Sequence, residues 1–133
     1  MKGRRIVSYK YVIDTYAWVE YFKGSEEGKK AQPYIEGNES ATSVFAVAEL
    51  AEKYEKEEKE LEEDLQFMMS KTKFVEVTLE IAKRAGVINA NNKKKIKDWG
   101  MADAIIFATA QSIGARVVTG DQHFKDLNAL MIA

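Results

Sequence analysis

The sequence predicts an α/β fold with a parallel sheet and helices on both of its faces. Three observations predict it. Short β-branched or aromatic runs (YKYVI, FVEV, ARVV) are separated by longer stretches with apolar residues at helical spacing. Strands that alternate with helices in this way form βαβ units, and such units build parallel sheets. No Pro/Gly/Ser-rich linker and no internal repeat divides the 133 residues, so one domain over 1–133 is expected.

The elements follow in order. Tyr9–Ile13 reads as the first strand. Thr15–Phe22 carries a dense apolar face and reads as a helix closed by Gly24. Glu26–Ile35 is a short polar helix anchored by Ala31, Tyr34 and Ile35. Gly37 and Asn38 make a turn, and Ser40–Thr42 a small strand. Val44, Val47, Ala48, Ala51 and Tyr54 recur at helical spacing, and the pattern resumes at Leu61, Leu65 and Met68. No Gly or Pro interrupts it, which leaves one long helix or two. Phe74–Val77 alternates as a strand. Thr78 is the expected N-cap of a helix carrying Ile81, Ala82, Ala85 and Ile88. The polar stretch Asn89–Lys95 reads as a loop or frayed end. Ala102–Ile113 is the clearest helix, stopped by Gly114. Ala115–Val118 is a strand, Gln122–Leu127 a helical turn and Leu130–Ile132 a last strand.

Composition narrows the class. Apolar residues at 46% and charged residues at 31% exclude a fully disordered chain. The longest apolar run, around Met101 to Gln111, is cut by Asp103 and is too short to span a bilayer. The N-terminal MKGRRIVSYKYVIDT has basic residues but no apolar stretch of signal-peptide length. The absence of cysteine excludes disulfides, thiol nucleophiles and zinc–thiolate sites. A cytoplasmic protein is expected. The net charge of −1 argues against indiscriminate coating of nucleic acid. The charge is uneven, however. Glu52–Asp64 holds eight acids against three lysines, and Lys93, Lys94, Lys95 and Lys97 fill four of five successive positions. Such runs are either solvated faces or, for the lysines, a grip on a phosphate backbone.

Four carboxylates stand out. Asp14 follows the first strand directly, and Asp121 follows the ARVVTG strand. Asp103 sits in the first turn of the clearest helix. Glu49 sits in the second turn of the helix that begins near Val44. In open parallel sheets the site lies beyond the carboxyl ends of the strands, where these residues are expected to meet. Glu49 and Asp103 also flank apolar stripes, where a lone carboxylate is costly. Two carboxylates about 4 Å apart repel by roughly 4 kcal/mol at an effective dielectric of 20. Arg84 and Arg116 are the only arginines after Arg5, so a divalent cation is the economical counter-charge. An all-oxygen donor set suits Mg²⁺ or Mn²⁺, which can activate water against a phosphodiester.

These pieces resemble the PIN domain family, and most closely its small single-domain VapC-type toxins. The resemblance covers nearly the whole chain. It rests on strand-Asp14-Thr15, on Ser43-x5-Glu49-Leu50, on Ala102-Asp103-Ala104 followed by Ile105, Ile106, Ala108 and Ala110, and on Val118-Thr119-Gly120-Asp121-x-x-Phe124. It implies a three-layer α/β/α sandwich around a parallel sheet of about four to five strands. It also implies a Mg²⁺- or Mn²⁺-dependent endoribonuclease whose acids bind metal and orient the attacking water. Asp14, Glu49 and Asp103 match the family's core acids, and Asp121 matches a fourth whose role is less uniform. Thr119 matches a hydroxyl position that bonds a carboxylate or a metal-held water. Ser43 either does the same or N-caps its helix. The family further implies an RNA substrate, a small VapB-type antitoxin partner and a homodimer. Two alternatives share the fold: an RNA-processing nuclease without antitoxin, and an inactive RNA- or protein-binding module. Asp98, within NNKKKIKDWG, has no clear counterpart.

Other residues are weighed against this site. His123 is the only histidine and is expected to be a surface loop residue rather than a general base. Phe124 is expected to pack its loop. Trp18, Tyr21 and Phe22 could stack on single-stranded RNA, but their helical spacing favours packing; Tyr16, Tyr21 and Phe22 are candidate dimer contacts. A haloacid-dehalogenase phosphatase would need a second Asp where Tyr16 stands. A receiver domain would need paired acids before its phosphoacceptor. A dinucleotide-binding domain would need a Gly-rich turn where DTYAW stands.

Overall fold

A computed structural model describes residues 8–133. Residues 1–7, with most of the basic N-terminal stretch, lie outside the described residues. Five strands of the described residues form one parallel sheet: β1 (Tyr11–Ile13), β2 (Ser40–Ser43), β3 (Lys73–Val75), β4 (Arg116–Thr119) and β5 (Leu130–Met131). Their spatial order is β3-β2-β1-β4-β5, and every neighbouring pair is parallel. The order runs outward from β1 in one direction and then resumes on its other side with β4. The switch point therefore falls between β1 and β4, where an open parallel sheet opens a crevice at its carboxyl edge.

Among the described residues, six helices cover the two faces: α1 (Thr15–Lys23), α2 (Glu26–Glu36), α3 (Val44–Lys56), α4 (Glu62–Lys71), α5 (Leu79–Asn92) and α6 (Met101–Ser112). Successive strand residues point to opposite faces. Val12 and Val117 join Ile81, Ala85, Ala104 and Ala108 of α5 and α6 in one apolar cluster. Ile13 and Val118 join Ala17, Trp18, Ala31, Ile35, Leu50 and Met68 of α1 to α4 in the other. The result is the expected three-layer α/β/α sandwich. Trp18 is fully buried and its indole N–H donates to Thr42 Oγ1, so it is a core residue and not a stacking platform.

Local chemistry sets the ends. Gly24 and Gly114 take the left-handed conformation (φ 69° and 65°) that closes α1 and follows α6. Thr78 N-caps α5, accepting from Ile81 N at 3.2 Å. One open choice is resolved and two expectations shift. The long apolar pattern is two helices, because the chain turns at Glu57–Leu61 with Glu58 at φ 55°. Glu62, Glu63 and Asp64 then fill the first turn of α4, where the helix dipole favours negative charge. Asn89–Asn92 stays helical rather than fraying, with Asn92 buried. The third strand is Lys73–Val75 rather than Phe74–Val77.

Candidate active site

The carboxyl edge at the switch point gathers the four acids. Asp14 leaves β1 and N-caps α1; its Oδ1 accepts from Thr15 N at 2.8 Å. Its Oδ2 accepts from the Thr119 hydroxyl at 2.7 Å, at the end of adjacent β4. Thr119 Oγ1 in turn accepts from Asp121 N at 2.9 Å, so one buried hydroxyl ties two acidic segments together. Asp121 opens a 3-10 turn (Gln122–Phe124) and its Oδ1 accepts from His123 N at 2.9 Å. Asp103, in the first turn of α6, accepts from Gly100 N at 3.0 Å. Glu49 reaches in from α3, and its Oε1 accepts from the Thr15 hydroxyl at 2.6 Å.

Asp14, Glu49, Asp103 and Asp121 line one pocket of about 220 Å³, completed by Thr15, Tyr16 and Ala102. Among the described residues, no lysine or arginine pairs with any of the four. The electrostatic consequence is large. Burial, with Glu49 and Asp121 adding to it, pushes the Asp14 carboxyl from its ordinary 3.8 up to about 7, against the bonds from Thr119 and Thr15. Burial also raises Glu49, with Asp103, Glu52 and Asp121 as repelling neighbours. Asp103 is raised by burial and by Asp121, opposed by its bonds to Gly100 and His123. Acids held close together, buried and without a cation are matched in charge and donor type by a divalent ion.

Two contributors are not legible in the spacing. His123 reads from sequence as a surface loop residue, yet its ring turns inward. Nδ1 lies 3.0 Å from Asp103 Oδ2 and 3.4 Å from Asp121 Oδ1, with the side chain 28% exposed. Its backbone N–H, bonded to Asp121, fixes that orientation. Thr15 positions Glu49 across 34 residues of sequence; the hydroxyl directly after Asp14 is the one available signal. Ser43 is a cap: its buried hydroxyl accepts from Phe45 N at the start of α3, with no hydrogen bond to the acids. Phe124 is buried and packs the loop. Tyr16, Tyr21 and Phe22 are half-buried. Asp98 is exposed at φ 62° and does not line the pocket. Lys93, Lys94, Lys95 and Lys97 are exposed around the end of α5 and the turn beyond it.

Fold and site together define a parallel α/β domain with an acidic pocket at its switch point. The chain belongs to the PIN domain family, whose sequence model matches residues 11–130. In structure it is similar to a toxin–antitoxin complex from Klebsiella pneumoniae (TM-score 0.74, 21% identity, covering 93% of this chain and 98% of that one). It is also similar to VapBC2 from Rickettsia felis bound to a DNA fragment from their promoter (0.72, 21%, 91% and 96%). DNA-bound VapBC from Salmonella typhimurium is a further relative in fold (0.67, 22%, 92% and 96%). At these identities the likeness establishes the fold. No curated protein matches the chain at a significant level.

Proposed function

We infer that this chain is a divalent-metal-dependent endoribonuclease of the VapC type, hydrolysing RNA phosphodiester bonds as the toxin of a toxin–antitoxin pair. The observation that carries the reading is the convergence of four carboxylates from four segments on one pocket, with no lysine or arginine among the described residues paired to them. Asp14, Glu49, Asp103 and Asp121 would hold Mg²⁺ or Mn²⁺. When bound, the cation supplies positive charge against the phosphodiester and acidifies water. The protein's own part is preorganisation. Thr119 and Thr15 N hold both Asp14 oxygens, Thr15 Oγ1 holds Glu49 Oε1, and Gly100 N and His123 hold Asp103 Oδ2. Glu49, Asp103 and Asp121 each keep a second oxygen that bonds nothing among the described residues and is available to a ligand.

The remaining parts of the reading follow the family. The chain acts in the cytoplasm as a single domain and a homodimer, with half-buried Tyr16, Tyr21 and Phe22 as candidate contacts. It pairs with a small VapB-type antitoxin; the similar structure from Klebsiella pneumoniae is a toxin–antitoxin complex. Among the described residues no helix is long and apolar enough to cross a membrane. Of the run Lys93, Lys94, Lys95 and Lys97, only Lys95 and Lys97 line a groove beside His123 and are the candidates for the RNA backbone. The test is cleavage of single-stranded RNA by purified protein. Activity is expected with Mg²⁺ or Mn²⁺ and lost in EDTA or in Asp14→Asn. Full activity in EDTA would refute the reading.

A further inference from the structure

The four acids create a problem for a nuclease: they repel the polyanion they are meant to cut. A single divalent ion offsets two of four negative charges, so the strand must be gripped by cations outside the pocket. At −1 overall the chain offers no general attraction, and the grip has to be local.

Many lysines on the surface are unsuited to this. Lys53 and Lys59 reach Glu57, Lys56 reaches Glu52, Lys23 reaches Glu20 and Lys29 reaches Glu26, all within 4.0 Å. Lys71 and Lys73 line a groove with Tyr9 and Asn38, which precede β1 and β2; that groove lies at the amino edge of the sheet, opposite the acids. One groove is different. Lys95, Lys97 and Lys125 line a depression of about 330 Å³ together with Ile96, Gln122 and His123. None of these three lysines makes an ion pair among the described residues. One acid, Asp126, also lines it. His123 links the two places: it lines the groove, and its Nδ1 lies within 3.4 Å of Asp103 and Asp121 of the acidic pocket. Lys93 and Lys94, though adjacent in sequence, do not line the groove.

We propose that the groove of Lys95, Lys97 and Lys125 is the track of the substrate's phosphate backbone, delivering a single RNA strand past His123 to the acidic pocket. The inference rests on the nuclease reading and goes beyond it, because it names the direction of approach and separates three working lysines from two bystanders. Lysine is a point charge that holds phosphate without reading bases. The track therefore contributes affinity alike for all sequences and leaves the choice of cleavage site to other contacts.

The experiment measures binding of a fluorescent single-stranded RNA by anisotropy, in an Asp14→Asn background with Mg²⁺ so that the strand stays intact. Cleavage by the corresponding variants of the intact enzyme is followed in parallel. Replacing Lys95, Lys97 and Lys125 with Ala should weaken binding on the order of tenfold to a hundredfold at moderate salt. It should also flatten the slope of log K against log salt by about 2, at roughly 0.7 per phosphate contact on single strands. KM should rise with kcat nearly unchanged, and the pattern of cut sites should be retained. Lys93→Ala with Lys94→Ala should change binding less than twofold, and Asp126→Asn should tighten it. A melting temperature unchanged in the triple variant shows that the loss is not misfolding. If the parent binds RNA and the triple variant binds within twofold of it at the same salt slope, the track lies elsewhere and the nuclease reading stands. If the Asp14→Asn parent does not bind RNA and the intact enzyme does not cleave it, the nuclease reading falls and the track with it.

Discussion

Asp14→Asn separates the cost of the site from its use. In the metal-free protein the folded chain holds the Asp14 proton to about pH 7, whereas an unstructured chain releases it near 3.8. The stability contributed by this group is therefore full below pH 4 and is lost as pH rises through 7. The gap corresponds to about 4 kcal/mol of disfavoured charge at pH 8. Asn stands in for the neutral acid. Its carbonyl oxygen still caps α1 through Thr15 N, and its amide can donate to Thr119 Oγ1 in place of the bond that hydroxyl now donates. For a chain of this size, that gain raises the melting temperature by roughly 5–15 °C at pH 8 in EDTA. At pH 3.5 Asp14 is largely protonated in both the folded and the unfolded wild type, and the two proteins should melt together. Saturating Mg²⁺ at pH 8 should raise the wild type and leave the variant nearly unmoved, by about 2.7 kcal/mol at a hundredfold excess over Kd. Differential scanning calorimetry in EDTA at the two pH values, repeated with Mg²⁺, reads all of this. An Asp14→Asn variant that melts below wild type at pH 8, or whose advantage is equal at both pH values, would show that Asp14 is mainly a cap and that its burial carries no charge penalty.

Two further outcomes follow from the same geometry. His123→Ala removes one of the two partners of Asp103 Oδ2, and Mn²⁺ affinity measured by calorimetry should fall roughly tenfold or more; an unchanged Kd would place His123 outside the site's machinery. Gly28→Ala would drive a methyl group into the Glu20 carbonyl and the Tyr21 backbone of α1, where neither atom can turn aside. The variant should lose on the order of 2 kcal/mol or more in urea unfolding, and wild-type stability would show that α1 and α2 can separate freely.

What can be read in the sequence is whatever local chemistry decides. The N-cap at Thr78, the stop at Gly114 and the apolar face of α6 depend on neighbours within one or two turns, and each lies where expected. The break between α3 and α4 does not show as a definite feature while Gly and Pro are the punctuation sought. The actual signal is electrostatic: acids crowd Glu55–Asp64, a continuous helix would stack them at adjacent turns, and the break moves three of them to a helix start. Asn89–Asn92 misleads in the opposite sense, since asparagine is a poor helix former, yet α5 continues to Asn92, which is buried. The four acids are legible because a parallel sheet sends every strand's exit to the same edge. His123 is not, because its inward turn depends on one backbone bond to Asp121 and has no counterpart in residue spacing.

The site and the fold also explain each other's weak points. β1 and β4 are neighbours at the centre of the sheet, and Asp14 N is bonded to Val118 O at 3.0 Å, so the sheet ladder continues up to the acid itself. That rigidity is what allows a carboxylate to be held where its charge is disfavoured; a loop would relax and let it out to water. Glu49 and Asp103, on helices and only half-buried, have room to adjust, and burial raises them less. The acid held on the sheet thus sets the pH at which the pocket becomes fully charged, and the acids on the helices provide the adaptable part of the donor set. Metal affinity should accordingly rise most steeply between about pH 6 and 8, as Asp14 gives up its proton to the incoming ion. Isothermal titration with Mn²⁺ across that range reads the slope, and an affinity flat from pH 6 to 8 would show that Asp14 is already ionised before the metal arrives.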